Sequence, residues 1–431
     1  MLNFDDGIEL HLLIFEDDLT LNFHPMTLTR PAFDLMLGTK TLLDAILDEM
    51  KPDDHSLLVS EYLSSITEKR HPNSDVNPQK VEGDVVFINS LLRLDTQELK
   101  KLLTKDSHFV AFSNNNLAIA KVSSKLAREA LIPPSSMART FSNKFKGYAE
   151  EFKLSDSSLI RYPWHLIELN SEAITRQSSN LKGVSDVGKN SVVLGPNSRL
   201  IVEEGVEIEG PVFFDTRDGP IHIGSKAKIL PFSRIKGPSH IGKNSTILSA
   251  MIEETTIGDF VRIGGEVDRS IFSGYSNKAH EGFIGHSYVG EWVNLGAMTT
   301  NSDLKDTYGT VKMMIKGEKI DSGRIKVGCF IADNVKTSIG TYIYTGKKIG
   351  VASQIHGYVP DDVPSFTIYA KSMGYRLFEV DVESAIEAQK RMMERRGIEQ
   401  TKEDADLLRK VFMMSKEERY KAGVIKGKFS F

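Results

Sequence analysis

Four side chains in one stretch, Glu266, Lys278, His280 and Asn294, are the residues in this chain best suited to group-transfer chemistry. A histidine suits general base work near neutral pH. A carboxylate such as Glu266 can hold its imidazole in one tautomer and stabilise the charged form. An amide such as Asn294, or backbone N–H groups, can face a developing oxyanion. An ammonium such as Lys278 can hold a substrate phosphate. Together these roles meet the needs of acyl transfer from a thioester to an amine. Glu266 and His280 are fourteen residues apart, which allows neighbouring positions on stacked coils. Lys278 and His280 alternate and are expected to point the same way on one strand. A surface pair of Glu266 with His280, or an imidazole stacked on Phe283, is the plainer alternative. His222, His240 and His286 read as solvated corner residues.

These residues interrupt a repeat that must position them. An aliphatic residue followed by Gly recurs from Val187-Gly188 through Ile223-Gly224, Ile241-Gly242, Ile257-Gly258 and Leu295-Gly296 to Ile349-Gly350. Several spacings are multiples of six. Six residues make one flat side of a triangular coil and eighteen complete a turn, so residues 183–360 are expected to form a left-handed parallel β-helix of hexapeptide repeats. One coil cannot bury its own apolar face, so only the array is stable. Gly is expected at the corners because it tolerates positive φ. The repeat is expected to end at Asp361-Asp-Val-Pro364. Residues 300–324 leave the pattern and carry Lys305 and Lys312. They form either a decorated loop or a contact with a neighbouring subunit or the phosphates of a coenzyme.

Residues 1–160 alternate apolar runs with helical stretches, which predicts an α/β sheet. Strands are expected at 11–15, 56–60, 84–88, 108–112 and 115–121. Helices are expected at 39–50, 96–103 and 123–131. Residues 161–182 form a linker helix and 361–431 a short C-terminal helical tail, with Asp381 and the box Thr401–Asp404 as caps. Arg70–Gln79 reads as loop. The basic run Lys390-Arg391 and Arg395-Arg396 reads as a solvated helix face.

Composition narrows the class. The chain has 431 residues, a net charge of −4 and 40% hydrophobic content, which gives no electrostatic case for a nucleic-acid partner. Its single cysteine, Cys329, excludes an intramolecular disulfide. The first residues are acidic rather than basic, and no apolar run approaches the ~20 residues of a membrane span. A cytoplasmic protein with no membrane partner is the expectation. In the N-terminal part no Gly-rich turn follows the first strand. Arg30 and Lys40 are the nearby phosphate-binding candidates, and no metal ligand is assigned beyond a weak case for Asp17 or Asp18.

Several segments resemble a known family. Pro25-Met-Thr-Leu-Thr-Arg-Pro31, Gly38-Thr-Lys-Thr-Leu42, Tyr162-Pro-Trp164, Ser276-Asn-Lys-Ala-His-Glu-Gly-Phe-Ile-Gly285 and Gly290-Glu-Trp-Val-Asn-Leu-Gly-Ala297 are similar to the bifunctional N-acetylglucosamine-1-phosphate uridyltransferase/glucosamine-1-phosphate acetyltransferases, in particular to a divergent sugar nucleotidyltransferase branch. The resemblance implies a GT-A-like (Rossmann-like) nucleotidyltransferase domain followed by a trimeric β-helix acyltransferase. It implies nucleoside triphosphate, sugar phosphate and acetyl-CoA as substrates, with Mg²⁺. It makes His280 the base, Glu266 its neighbour, Asn294 a positioning group, and Phe283 the counterpart of a substrate-binding Tyr. Ala297 and either Lys305 or Lys312 would face the coenzyme. The chain departs from the family where a substrate-binding Lys becomes Asp268, and where the metal-binding Gly-Asp becomes Ile88-Asn-Ser90. Rival readings keep one activity only, or a non-enzymatic scaffold.

Overall fold

The computed structural model describes residues 11–93, 97–105, 107–131, 145–181, 187 and 190–430. The acidic N-terminus before His11 and most of the first predicted hexad, including Gly188, lie outside the described residues. The chain divides into two compact units, Met1–Leu35 with Lys40–Tyr162, and Met36–Thr39 with Pro163–Phe431.

The first unit is a seven-stranded mixed sheet. Its order is Asp75–Val76, Asp54–Leu58, His11–Phe15, Val85–Asn89, Asn116–Val122, Phe109–Ser113, Glu150–Leu154. The first four strands are parallel, and Asn116–Val122 runs antiparallel to both its neighbours. Leu12 to Phe15 and Val85 to Ile88 are fully buried, as continuous apolar runs require when a sheet is covered on both faces. The five strands expected from such runs are present within two residues. Two edge strands were not legible. Asp75–Val76 lies in the segment read as loop, and Glu150–Leu154 is charged along most of its length. The first helix is Leu42–Met50, capped by Thr41, whose side chain accepts from the Asp44 N–H. It begins later than expected because Lys40–Thr41 is extended.

The second unit is a parallel β-helix with three faces. Its first face stacks eight strands from Leu200–Val202 to Lys348–Ile349. Ile223, Ile241, Ile257, Phe272, Val289, Ile331 and Ile349 are register partners in succession and fully buried. This inward aliphatic column was expected; the regular eighteen-residue turn was not found. Register partners are 21 residues apart at Leu200 and Ile221, 18 at Ile221 and Ser239, 16 at His240 and Thr256, 15 at Thr256 and Ile271, and 17 at Ile271 and Tyr288. Across the loop, Tyr288 and Phe330 are 42 apart. Each face fixes only two or three residues, so the corners are free to vary in length.

The glycines also serve a different purpose from the one expected. Among the described hexad glycines only Gly195 and Gly340 have positive φ. One corner carries a left-handed residue in successive coils, Gly205 in the first and then the non-glycines Lys226, Asn244, Phe260, Tyr275, Trp292, Asn334, Ala352 and Phe366. The glycines allow close approach of coils. A Cβ on Gly258 would lie 1.4 Å from the Ser273 carbonyl oxygen, and one on Gly328 would lie 2.0 Å from that of Gly285. The stack also runs past Pro364, since Ile349 bridges Val363 and Ile355 pairs with Tyr369.

His222 and His240 are not solvated corner residues. They are register partners on the first face, both buried, with their Nδ1 atoms 3.1 Å apart and His222 Nε2 2.8 Å from Glu203. The tail holds helices Val382–Glu394 and Lys402–Met414 with the expected caps at Asp381 and Thr401–Asp404, and adds Lys416–Lys421.

Candidate functional site

The third face of the β-helix carries the polar side chains. Its inward column is Phe214, Ile235, Ile252, Val267 and Ile284. Side chains alternate across a strand, so the residues on either side of each inward position point out. Those before it form the outward column Arg234, Met251, Glu266, Phe283, and those after it form Lys236, Glu253, Asp268, Gly285. The loop residue Lys326 and the corner residue His286 join them around a cavity of about 380 Å³. Lys236 is already paired with Glu253 at 2.5 Å and Asp218 at 3.2 Å. The Phe283 ring lies over Gly285, where a Cβ would approach it to 2.3 Å; any larger residue there would displace the ring.

His286 sits at a corner as expected but is packed into this site rather than solvated, its side chain only 11% exposed. Its Nδ1 lies 2.7 Å from Asp303 Oδ2. Asp268, one coil earlier, completes a group whose ligand atoms all lie within 4.8 Å of one another. Burial raises the Asp268 carboxyl above its ordinary value. Burial also acts to raise Asp303, but the His286 hydrogen bond and charge outweigh it and hold Asp303 below the usual carboxylate range.

The expected site residues are distributed unevenly. Glu266 is exposed on the third face beside Phe283. His280 is exposed on the turn that leads from strand Asn277–Lys278 into Phe283–Gly285. Lys278 does not share its direction. It follows Ile229, Ile247 and Ile263 in the inward column of the second face and is only 2% exposed. Its Nζ donates to the Gly264 carbonyl at 2.6 Å and the His280 carbonyl at 3.1 Å. Burial pushes this ammonium down to about 8, against the pull of Glu281 and Glu266. Lys278 therefore braces the turn under His280 instead of offering an outward charge to phosphate. Asn294 lies on the second face, where its Oδ1 accepts from Asn277 Nδ2 at 3.0 Å, so within one chain it is on a different face from Glu266. Ala297 is half-buried, and its carbonyl accepts from the Gly340 N–H at 2.8 Å. The loop after Asn301 folds into the hairpin Lys312–Ile315 with Glu318–Asp321. Lys305 spends its ammonium on the Thr310 carbonyl of the same loop, and Lys312 is exposed.

One further residue escaped sequence reading. Asn301 is 2% exposed, ahead of Ile343 and Val359 in the third inward column. Its amide accepts from the Gly285 N–H at 2.8 Å and donates to the Gly285 carbonyl at 3.0 Å. A polar residue where the repeat calls for an aliphatic one is the signal that marks it.

In the first unit the polar residues gather where the parallel strands end, the usual ligand edge of such sheets. Asp17 Oδ1 accepts from the Leu19 N–H at 3.0 Å. Its Oδ2 accepts from Asn89 Nδ2 at 3.0 Å and Asn116 Nδ2 at 2.8 Å. The Asn89 amide is fixed by two backbone partners, the Leu117 carbonyl and the Leu91 N–H. Both Asp17 oxygens thus face donors, and position 89 offers an amide rather than a second carboxylate. This donor set does not fit a magnesium ion held by Asp17 and residue 89. Glu16 is buried beside it, accepts from the Ala32 N–H at 2.8 Å, and burial raises its carboxyl to about 8. Arg30 is buried, at 3% exposure, and Lys40 is paired with Asp48 on the surface.

The described residues thus form an α/β unit with a polar nest at its strand ends and a parallel β-helix with a charged cavity on one face. Residues 12–184 match the family described as sugar nucleotidyl transferase. The chain is similar to a bifunctional sugar-1-phosphate nucleotidylyltransferase/acetyltransferase of Sulfurisphaera tokodaii, 34% identical over 196 residues, which are 45% of this chain and 43% of that one. It is also similar to the bifunctional protein GlmU of Methanococcus aeolicus, 28% identical over 64% of this chain and 69% of that one. The match thus spans less than half of the first relative and about two thirds of the second. A UDP-N-acetylglucosamine acyltransferase of Francisella novicida is 13% identical, with a TM-score of 0.31 over 55% of this chain and 94% of that one, a likeness too distant to bear on chemistry. No helix among the described residues is long and apolar enough to cross a membrane.

Proposed function

We propose that the β-helix unit transfers an acyl group from a CoA thioester to the amine of an amino-sugar phosphate, and that the first unit joins a sugar 1-phosphate to a nucleoside triphosphate with release of pyrophosphate. The observation that carries this reading is the third-face cavity, whose lining includes the cations Arg234 and Lys326 and the carboxylates Glu266 and Asp268. A pocket with both signs of charge suits a ligand that is phosphate at one end and ammonium at the other. His280, on the turn into Phe283, takes a proton from the attacking nitrogen. As the N–C bond forms and the C–S bond breaks, that proton passes to the thiolate sulfur. Lys278 holds the turn from below. The names of the relatives support both halves of the reading. A cytoplasmic homotrimer using acetyl-CoA, with Mg²⁺ accompanying the nucleotide, belongs to the same proposal. The saturated Asp17 and the amide at Asn89 favour a second reading, in which the first unit binds a nucleotide sugar without making it.

Thiol release from acetyl-CoA, with glucosamine 1-phosphate and galactosamine 1-phosphate as acceptors, tests the first reading. His280→Ala should lower acceptor-dependent release by about a hundredfold or more, the scale of a lost general base. Retention of more than about a tenth of the wild-type rate would remove His280 from that role.

A further inference from the structure

The amine of an amino sugar is flanked by electronegative carbons and titrates, like an α-amino group, at about 8, so at neutral pH the acceptor arrives mostly as an ammonium. Acylation removes two protons from that nitrogen. One leaves on the thiol. The other needs a separate acceptor and a way out to water, and His280 cannot hold both at once.

The third face offers a second acid–base group suited to that task. Asp268, His286 and Asp303 stand on three successive coils, with their ligand atoms within 4.8 Å of one another. The 2.7 Å contact between His286 Nδ1 and Asp303 Oδ2 places the imidazole hydrogen on Nδ1, since an ionised carboxylate only accepts. Nε2 is then the free base. The nearby carboxylates of Asp303, at 2.7 Å, and Asp268, within 4.8 Å, favour a positive charge on the ring while it carries the proton. His286 also belongs to the walls of two cavities. One is the acceptor cavity that includes Glu266. The other, of about 390 Å³, runs to Trp164 and Ile167 on the helix Pro163–Ser178. Arg269 and Lys326 are likewise common to both.

The charges that face the ring can be assigned by element. The preceding coils supply Asp268, Glu253 and Arg269, and Arg269 is paired with Glu254 at 2.8 Å. The following coil supplies Asp303, and the loop supplies Lys326. Across the first cavity stand Arg234, Glu266 and the paired Lys236. Across the second stand Glu168 and Arg324, which pair with each other.

We propose that the Asp268–His286–Asp303 column is a proton-exit relay for the acyl acceptor. His286 Nε2 takes the first proton from the acceptor ammonium and releases it to water in the second cavity. His280 takes the second proton and delivers it to the departing sulfur. The inference rests on the acyltransferase reading above.

The test is the pH dependence of kcat/KM for the amino-sugar phosphate, measured by thiol release with full-length wild type, His286→Gln and Asp268→Asn. His286→Gln should lose about tenfold or more at pH 6 and recover to within about twofold of wild type near pH 9, where the amine is already neutral. Asp268→Asn, which keeps the side-chain volume, should shift the acid limb in the same direction by less. A loss that is uniform across pH is what a structural role produces, and it overturns the relay. So does an unchanged profile. Absence of thiol release by the wild type at every pH overturns both the relay and the reaction it serves, which separates the two failures.

Discussion

In each unit a buried ionisable side chain lies beside the polar cluster, an acid in the first unit and a base in the β-helix. In the first unit Glu16 is 5% exposed and meets a backbone N–H. In the β-helix Lys278 is 2% exposed and meets two backbone carbonyls. Their surroundings differ in what they leave free. Around Glu16, the carboxylate of Asp17 is filled by three N–H donors and the Asn89 amide is filled at both ends. Around Lys278 the turn carries an exposed histidine and leads into Phe283, whose register partner Glu266 lines a cavity with Arg234, and neither Glu266 nor Arg234 is in an ion pair among the described residues. Buried polar groups must be satisfied in either case. Only the β-helix satisfies its buried cation with backbone alone and leaves the outward side chains open to a ligand.

The largest test of the contrast is Glu16. Its carboxyl is raised to about 8 in the folded state from 4.5. Between those pH values the folded chain binds a proton that the unfolded chain has lost, so stability falls as pH rises through that window. Glu16→Gln should remove this slope and raise stability at pH 8 on the order of a few kcal/mol. Denaturant melts of the first unit's transition at pH 5 and pH 8 measure it. An unchanged slope would mean that Glu16 is ionised and paired, and that the nest has capacity for a cation after all.

Lys278 should show the opposite pH dependence. Its folded value of about 8 lies below the ordinary 10.5. Between them the unfolded chain holds the extra proton, so stability rises with pH across that range. Wild type should gain about 3 kcal/mol there from this residue, a gain absent in Lys278→Met. Lys336, also pushed down to about 8 by burial, contributes the same sign, so the difference between wild type and variant is the quantity to read. If Lys278→Met also lowers thiol release with little change in acceptor KM, the brace under His280 is confirmed as a positioning contact.

These two residues also show which parts of the fold could be read in advance. Strand positions follow from continuous apolar runs, and the β-helix follows from its hexads, because both reflect burial that each segment needs locally. The site does not follow in the same way, since it depends on which coil meets which. Arg234 and Glu266 are joined through Met251, and His286 meets Asp303 across a coil, by intervals that differ at almost every turn. Assuming eighteen residues per coil misplaces the outward neighbours of the third face, whose steps are 17, 15 and 17 from Arg234 to Phe283. Lys278 is a clear case. One register step of fifteen from Ile263 places it inward, whereas alternation with His280 suggested that it points out. Asn301 was missed because an asparagine after a strand reads as loop until the column beneath it is known.

The smallest expected effect comes from Lys40, the phosphate candidate of the first unit. Its ammonium pairs with Asp48, whose side chain is 66% exposed. An exposed pair of this kind contributes about 0.5 kcal/mol or less, screened further by salt. Lys40→Ala should therefore leave the melting transition within that margin. Because its charge is spent on Asp48 rather than aimed at the strand ends, the substitution should also leave UTP affinity, read by isothermal titration, within about twofold, which is roughly 0.4 kcal/mol. Arg30 is the informative control, since it is only 3% exposed. A loss of UTP binding in Lys40→Ala of tenfold or more would show that the pair opens for the nucleotide. The first unit would then hold the uncommitted charge that its interior lacks.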